Sequence, residues 1–162
     1  MLVTFETLPV TARIWIYQSI RKLTADEISN TIQTTENFLQ NWTAHQADLK
    51  AGVQILFNHF IIIGVDENYN DASGCSIDKK VNFMKQVGNM LQVDLFNRMQ
   101  VAYIENDLIQ FTGMHELAGR IKIGELPHDV IMFNNLVATK KEFESDWKVA
   151  VRNSWMQQLV IS

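Results

Sequence analysis

The chain holds one cysteine, Cys75, two prolines, Pro9 and Pro127, and no long apolar run. Each shortage excludes something. A lone thiol cannot close a disulfide within the chain, which suits a reducing compartment and makes the cytoplasm the default location. The longest apolar stretch, Phe60 to Val65, is far below the roughly 20 residues that span a bilayer, so no membrane partner is expected. The start, Met1-Leu2-Val3-Thr4-Phe5-Glu6, lacks the basic region and apolar segment of a secretory signal, so the sequon Asn41-Trp42-Thr43 reads as chance. No Gly/Ser-rich linker, charge block or internal repeat divides the chain, and residues 1–162 read as a single domain. Charge of one sign is not concentrated either. Fourteen Lys and Arg stand against eighteen Asp and Glu, a net charge of −4, and the cations are scattered rather than aligned to track phosphates. Nucleic-acid binding is not expected.

What is present is a globular composition, 47% apolar and 20% charged, enough to bury a core. Arg13 to Gln18 is β-branched and aromatic and predicts a strand. Thr24 and Glu27 form a capping box, with Leu23 and Ile28 as its hydrophobic staple, and open a helix over about residues 25–42. Its expected inner face carries Ile28, Ile32, Leu39 and Trp42. Val53 to Phe57 and Phe60 to Val65 predict a hairpin around Asn58-His59, the second strand central because it is apolar on both faces. Ser76 and Asp78 read as the opening of a second helix with Ile77, Val81, Met84, Val87 and Leu91 inward. A second hairpin turns at Glu105-Asn106-Asp107, and a short helix over 114–121 and a strand over 130–133 follow. A last helix, boxed by Thr139 and Glu142, carries Phe143, Trp147, Val151 and Trp155. Hairpins interleaved with helices predict an α+β fold: a mainly antiparallel, or mixed, sheet with helices packed on its faces.

Three stretches carry a resemblance: Trp42-Thr43-Ala44-His45, Phe60-Ile61-Ile62-Ile63-Gly64-Val65-Asp66-Glu67, and Ala72-Ser73-Gly74-Cys75-Ser76-Ile77-Asp78. With Arg13-Ile14-Trp15-Ile16-Tyr17 and Phe133-Asn134-Asn135-Leu136-Val137, they resemble a family of short bacterial proteins that commonly travel under an "ABC transporter ATPase" label. The resemblance covers nearly the whole chain and implies no catalytic residues, because that family has no established activity. The residues themselves argue against the label. The only spacing comparable to a P-loop is Gly119-Arg120-Ile121-Lys122-Ile123-Gly124-Glu125-Leu126. It places Glu125 and Leu126 where a phosphate loop needs Lys and Ser or Thr, and a carboxylate there repels phosphate. Asp66-Glu67 at the end of an apolar run mimics a Walker B strand, but has no partner motif.

Candidate chemistry gathers between residues 42 and 78. Cys75 precedes a helix, where free N–H groups can favour a thiolate, and His45 could complete a Cys–His pair. Against that, free cysteines are among the most buried residues, and a small packing thiol is the commoner case. Trp42 and His45 share one helical face and could frame a planar ligand, although a Trp at a helix end more often covers the core. Asp66 and Glu67 end a central strand, where acid–base or cation sites gather, and Ser73 lies in the small-residue loop beside Cys75. His45, His59, His115 and His128 show no zinc spacing, and Asp66, Asp71 and Asp78 match no calcium loop. No metal or cofactor is expected.

The leading functional expectation is a soluble cytoplasmic binding or interaction module without ATPase activity, with an unknown protein partner or self-association. The alternative is a small-ligand-binding protein or thiol-dependent enzyme, using a pocket built from His45, Asp66, Glu67, Ser73 and Cys75.

Overall fold

A computed structural model describes residues 1–162 throughout. Five α-helices and nine strands alternate along the chain, and all strand pairing within its three sheets is antiparallel, so the fold is α+β as the hairpin pattern predicts. Contacts gather in two compact units, Met1–Phe96 with Val137–Phe143, and Asn97–Leu136 with Glu144–Ser162.

The first unit is organised by a three-stranded sheet. Strand β1 (Arg13–Gln18) and strand β4 (Ala51–Leu56) flank β5 (Phe60–Val65), whose six residues are all buried. The order follows from composition: only a strand apolar on both faces tolerates cover on both. One face of the sheet carries Tyr17, Ala51, Ile61, Ile63 and Val65, against α1 (Ala25–Gln40) and α2 (Gly74–Leu91). On the other face the register sets Gly52 opposite Gly64. A Cβ on Gly52 would meet the Val3 carbonyl at 2.7 Å, and one on Gly64 would meet Leu8 at 2.7 Å. The paired glycines thus seat the N-terminal segment directly on the sheet. Lys140, the first residue of α4 (Lys140–Asp146), donates from Nζ to the Glu6 and Leu8 carbonyls at 2.8 and 2.6 Å and closes that segment's short 3-10 turn.

The capping box of α1 forms as predicted: the Thr24 hydroxyl accepts from Glu27 N–H, and the Glu27 carboxylate accepts from Thr24 N–H. The helix ends at Gln40, and its inward stripe differs from expectation. Thr31, Thr35 and Leu39 are buried, with Ile28 and Phe38 partly so, while Ile32 lies at the margin. The β4–β5 turn sits one residue earlier than predicted. Phe57 and Asn58, not Asn58 and His59, hold positive φ (54° and 60°), and His59 N–H closes the turn on the Leu56 carbonyl. A short hairpin, β2 (Thr43–Ala44) with β3 (Ala47–Asp48), was not legible from periodicity.

The second unit holds a four-stranded sheet in the order β7-β6-β8-β9. The hairpin β6 (Gln100–Glu105) to β7 (Leu108–Gly113) turns at Asn106 and Asp107, both at positive φ as its tight two-residue turn requires. Helix α3 (Met114–Lys122) follows, then β8 (Ile131–Phe133). The expected long final helix is overturned. Thr139 and Glu142 do cap α4, but it stops at Asp146, and β9 (Lys148–Ala150) pairs with β8 instead. Chain then reaches α5 (Gln157–Ile161). Trp147 is consequently buried, with its indole N–H donating to Asn135 Oδ1 at 3.0 Å, whereas Trp155 reaches solvent.

Thr35 is fully buried and its hydroxyl has no hydrogen-bond partner. Thr35→Val keeps the shape and removes the unsatisfied group, so it should raise unfolding stability by about 1 kcal/mol. Urea denaturation reads this directly; a loss of stability would mean that the hydroxyl is in fact bonded.

Candidate functional site

The structure gives most of the expected site residues local structural roles. Trp42 is 1% exposed; its Nε1–H donates to the Ser76 carbonyl at 2.9 Å, and its ring lies edge-on to Trp15 at 6.1 Å. It is a core residue, closed to a stacking ligand. His45 is exposed at φ 50° in the two-residue turn between β2 and β3, with Gln46 at φ 66°. Ser73, not Ser76, is the N-cap of α2, its hydroxyl accepting from Ser76 N–H at 3.2 Å. Asp66 Oδ1 accepts from Asn68 N–H at 3.1 Å in a tight turn, with Lys50 Nζ 3.9 Å from its other oxygen. Glu67 pairs with Arg13 at 3.3 Å. Cys75 lies exposed in the first turn of α2 rather than packed in the core.

One subset does meet: Trp42 and Ser73 both engage Ser76, so the end of α1 and the start of α2 are joined. No hydrogen bond or ion pair joins Cys75 to His45, Asp66 or Glu67, and no three His, Cys, Asp or Glu side chains group as metal ligands would. The would-be phosphate loop is helix: Gly119 to Lys122 form the last turn of α3, and Glu125 pairs with Arg120 at 3.1 Å.

Sequence reasoning missed Lys80. The buried stripe of α2 is Ser76, Lys80, Met84, Val87, Gly88 and Leu91, so a lysine stands in phase with the core. Its ammonium lies 3.7 Å from the Trp15 ring centroid and 5.3 Å from that of Tyr17, a cation–π setting. The available signal was the i, i+4 spacing Ser76–Lys80–Met84, hidden because Ile77 and Val81 offered a more apolar phase.

The other missed feature is a cleft at the C-terminal end of α2, about 440 Å³ in volume. Its walls come from Lys85, Gly88 and Asn89 of the helix and from Gln92, Val93, Asp94, Leu95 and Phe96 of the loop that follows. The loop is built closely onto the helix. Gln92 adopts the left-handed conformation (φ 55°, ψ 41°) that ends α2, and Val93 N–H bonds to the Gly88 carbonyl at 3.0 Å. A Cβ on Gly88 would meet the Val93 carbonyl at 2.9 Å, so only glycine permits this approach. Asp94 Oδ1 accepts from Phe96 N–H at 2.9 Å, and the Phe96 ring packs edge-on to Tyr17 of β1 at 5.4 Å.

Arg21 anchors the same end of α2. Its guanidinium donates to the Leu91 carbonyl at 2.7 Å and to both oxygens of Glu27 at 2.8 and 2.7 Å. The helix has no basic residue in its own last turn, and Arg21 supplies the missing positive charge. Hydrogen bonds from Arg21, then from Thr24 N–H, hold the Glu27 carboxyl down to about 2. In the second unit Arg120 makes a comparable hub, bidentate to Glu105 at 2.9 and 3.1 Å and donating to the Tyr103 hydroxyl at 2.8 Å. Glu105 is lowered chiefly by that hydrogen bonding, while burial raises the Tyr103 phenol. Every partner in the hub is engaged, which marks it as structural.

Among known protein families, curated proteins and solved structures, none matches this chain.

Two measurements follow from this geometry. The folded Glu27 carboxyl titrates at about 2 against an ordinary 4.5, so its stabilisation is complete above pH 4.5 and is lost as pH falls toward 2. Wild type should therefore exceed Glu27→Gln in stability at pH 6 and converge with it near pH 2 in urea titrations. A gap unchanged at pH 2 would refute the pairing. Cys75, exposed in the first turn of α2, should react stoichiometrically with a thiol reagent in the native protein. Labelling that appears only in denaturant would contradict the exposure.

Proposed function

We propose that this chain is a protein-interaction module of the cytoplasm that docks an extended segment of a partner protein in the cleft closing α2. The cleft itself carries the reading. Its volume of about 440 Å³ lies within the range of roughly 300–1,000 Å³ occupied by ligand sites. Its lining mixes the two chemistries that a peptide presents. The Asn89 and Gln92 amides each offer a donor and an acceptor suited to backbone groups, and neither is engaged within the chain. Val93 and Phe96 offer apolar surface for one side chain.

Preorganisation supports the same reading. The Asp94 turn, the Gly88–Val93 approach and the Phe96–Tyr17 contact fix the wall before any partner arrives, which lowers the entropic cost of binding. The lone thiol agrees with a reducing compartment. A thiol-dependent enzyme or small-ligand site around Cys75 and His45 has less support, since no interaction joins the two residues.

Peptide display tests the proposal. Random peptides selected on the wild-type chain should converge on sequences with a large apolar residue. A recovered peptide, followed by fluorescence anisotropy, should bind at least about tenfold more weakly to Asn89→Trp, which fills the cleft from an exposed position. Absence of enrichment over an unrelated protein, or undiminished binding to Asn89→Trp, would overturn it.

A further inference from the structure

The cleft contains one group of each charge that the fold leaves unused. Lys85 lies on the exposed side of α2 and Asp94 in the loop beyond it, and both line the same 440 Å³ space. Neither takes part in an ion pair, with the other or with any third residue. Asp94 spends one oxygen, Oδ1, on Phe96 N–H and keeps the second. The neighbouring cation, Arg21, is already committed to Glu27 and the Leu91 carbonyl, so it does not neutralise Asp94. Elsewhere in the first unit, charged groups close to one another do pair: Arg13 with Glu67, and Lys50 with Asp66.

From this we infer that the cleft selects a partner segment of mixed charge, an acidic residue meeting Lys85 and a basic residue meeting Asp94 on either side of the apolar side chain seated against Phe96. The inference rests on the docking role proposed above and adds the chemistry of the occupant. Two opposite charges, one on the helix wall and one on the loop wall, also fix the direction in which the segment lies, because the reversed orientation would set like charges against each other. An uncharged apolar segment would leave both groups facing low-dielectric surface without a partner, at a cost that a mixed-charge segment avoids.

The experiment uses peptides recovered from display on the full wild-type chain. They should carry an acidic and a basic residue flanking an apolar one. In anisotropy titrations at low salt, Lys85→Gln and Asp94→Asn should each weaken such a peptide about two- to fivefold, the factor of an exposed ion pair. Asp94→Asn retains the oxygen that caps Phe96, so the loop keeps its shape while the charge goes. Lys85→Glu should weaken binding further, and a peptide whose acidic residue is replaced by lysine should recover it on that variant. Recovered peptides that lack one sign of charge, or that bind the charge variants as tightly as wild type, overturn this inference. If such peptides still fail to bind Asn89→Trp, the docking site stands and only its charge selectivity falls. Should display recover nothing, the docking role and the selectivity fall together.

Discussion

The burial of β5 on both faces is the constraint from which the first unit follows. Phe60, Ile61, Ile62, Ile63 and Val65 are all inaccessible to water, and each such side chain is worth about 1.5–3 kcal/mol once buried. That gain is available only if both faces are covered. Helices α1 and α2 cover one. The other receives the N-terminal segment, which comes close enough only because Gly52 and Gly64 face each other across the β4–β5 register. The segment's own carbonyls then lie over apolar strand, and the Lys140 ammonium satisfies two of them. A buried lysine and two strand glycines, each costly in isolation, are consequences of one apolar strand.

The same pressure explains which parts of the fold were legible. Signals carried by a few adjacent residues survived into the structure: the Thr24–Glu27 and Thr139–Glu142 boxes, the Asn106-Asp107 turn and the double-faced apolar run of β5. Signals that depend on choosing a phase did not. In α2 the apolar choice, Ile77 and Val81, was the wrong one by a single residue, because Ser73 rather than Ser76 caps the helix and Ser76 accepts the Trp42 indole. The inward stripe runs instead through Ser76 and Lys80, where Trp15 and Tyr17 take up the ammonium. Periodicity weighs side chains by hydrophobicity and cannot see aromatic faces that accommodate a buried cation. The end of the chain shows a second kind of override. Helical spacing of Phe143, Trp147, Val151 and Trp155 is real, yet residues 148–150 gain a ladder with β8 and bury Trp147, which outweighs weak local preference.

The candidate site was less legible than the fold for a related reason. Trp42, His45, Asp66, Glu67, Ser73 and Cys75 were attractive as chemical types at element ends, but element ends need caps and turns before they can serve ligands. Ser73 caps a helix, Asp66 closes a turn, Glu67 answers Arg13, and His45 accepts the positive φ of a two-residue hairpin. The cleft at the end of α2 shows no comparable chemical type in sequence. It exists because Gly88 lets Val93 approach, and no motif encodes that approach.

What makes the cleft more than a surface irregularity is its mechanical connection to the same central sheet. Its wall residue Phe96 rests on Tyr17, and Tyr17 stands opposite Ile61 in the β1–β5 register. Its helical side is held from below by Arg21, which ties the last carbonyl of α2 to the capping box of α1 through Glu27. Both sides of the opening therefore inherit the rigidity of elements that the burial of β5 already fixes. In the proposed docking role the cleft begins with its geometry set, and affinity would depend on the few groups left without internal work. In this cleft those groups are two amides, one ammonium and one carboxylate oxygen, and their identity, more than the shape around them, decides what can bind.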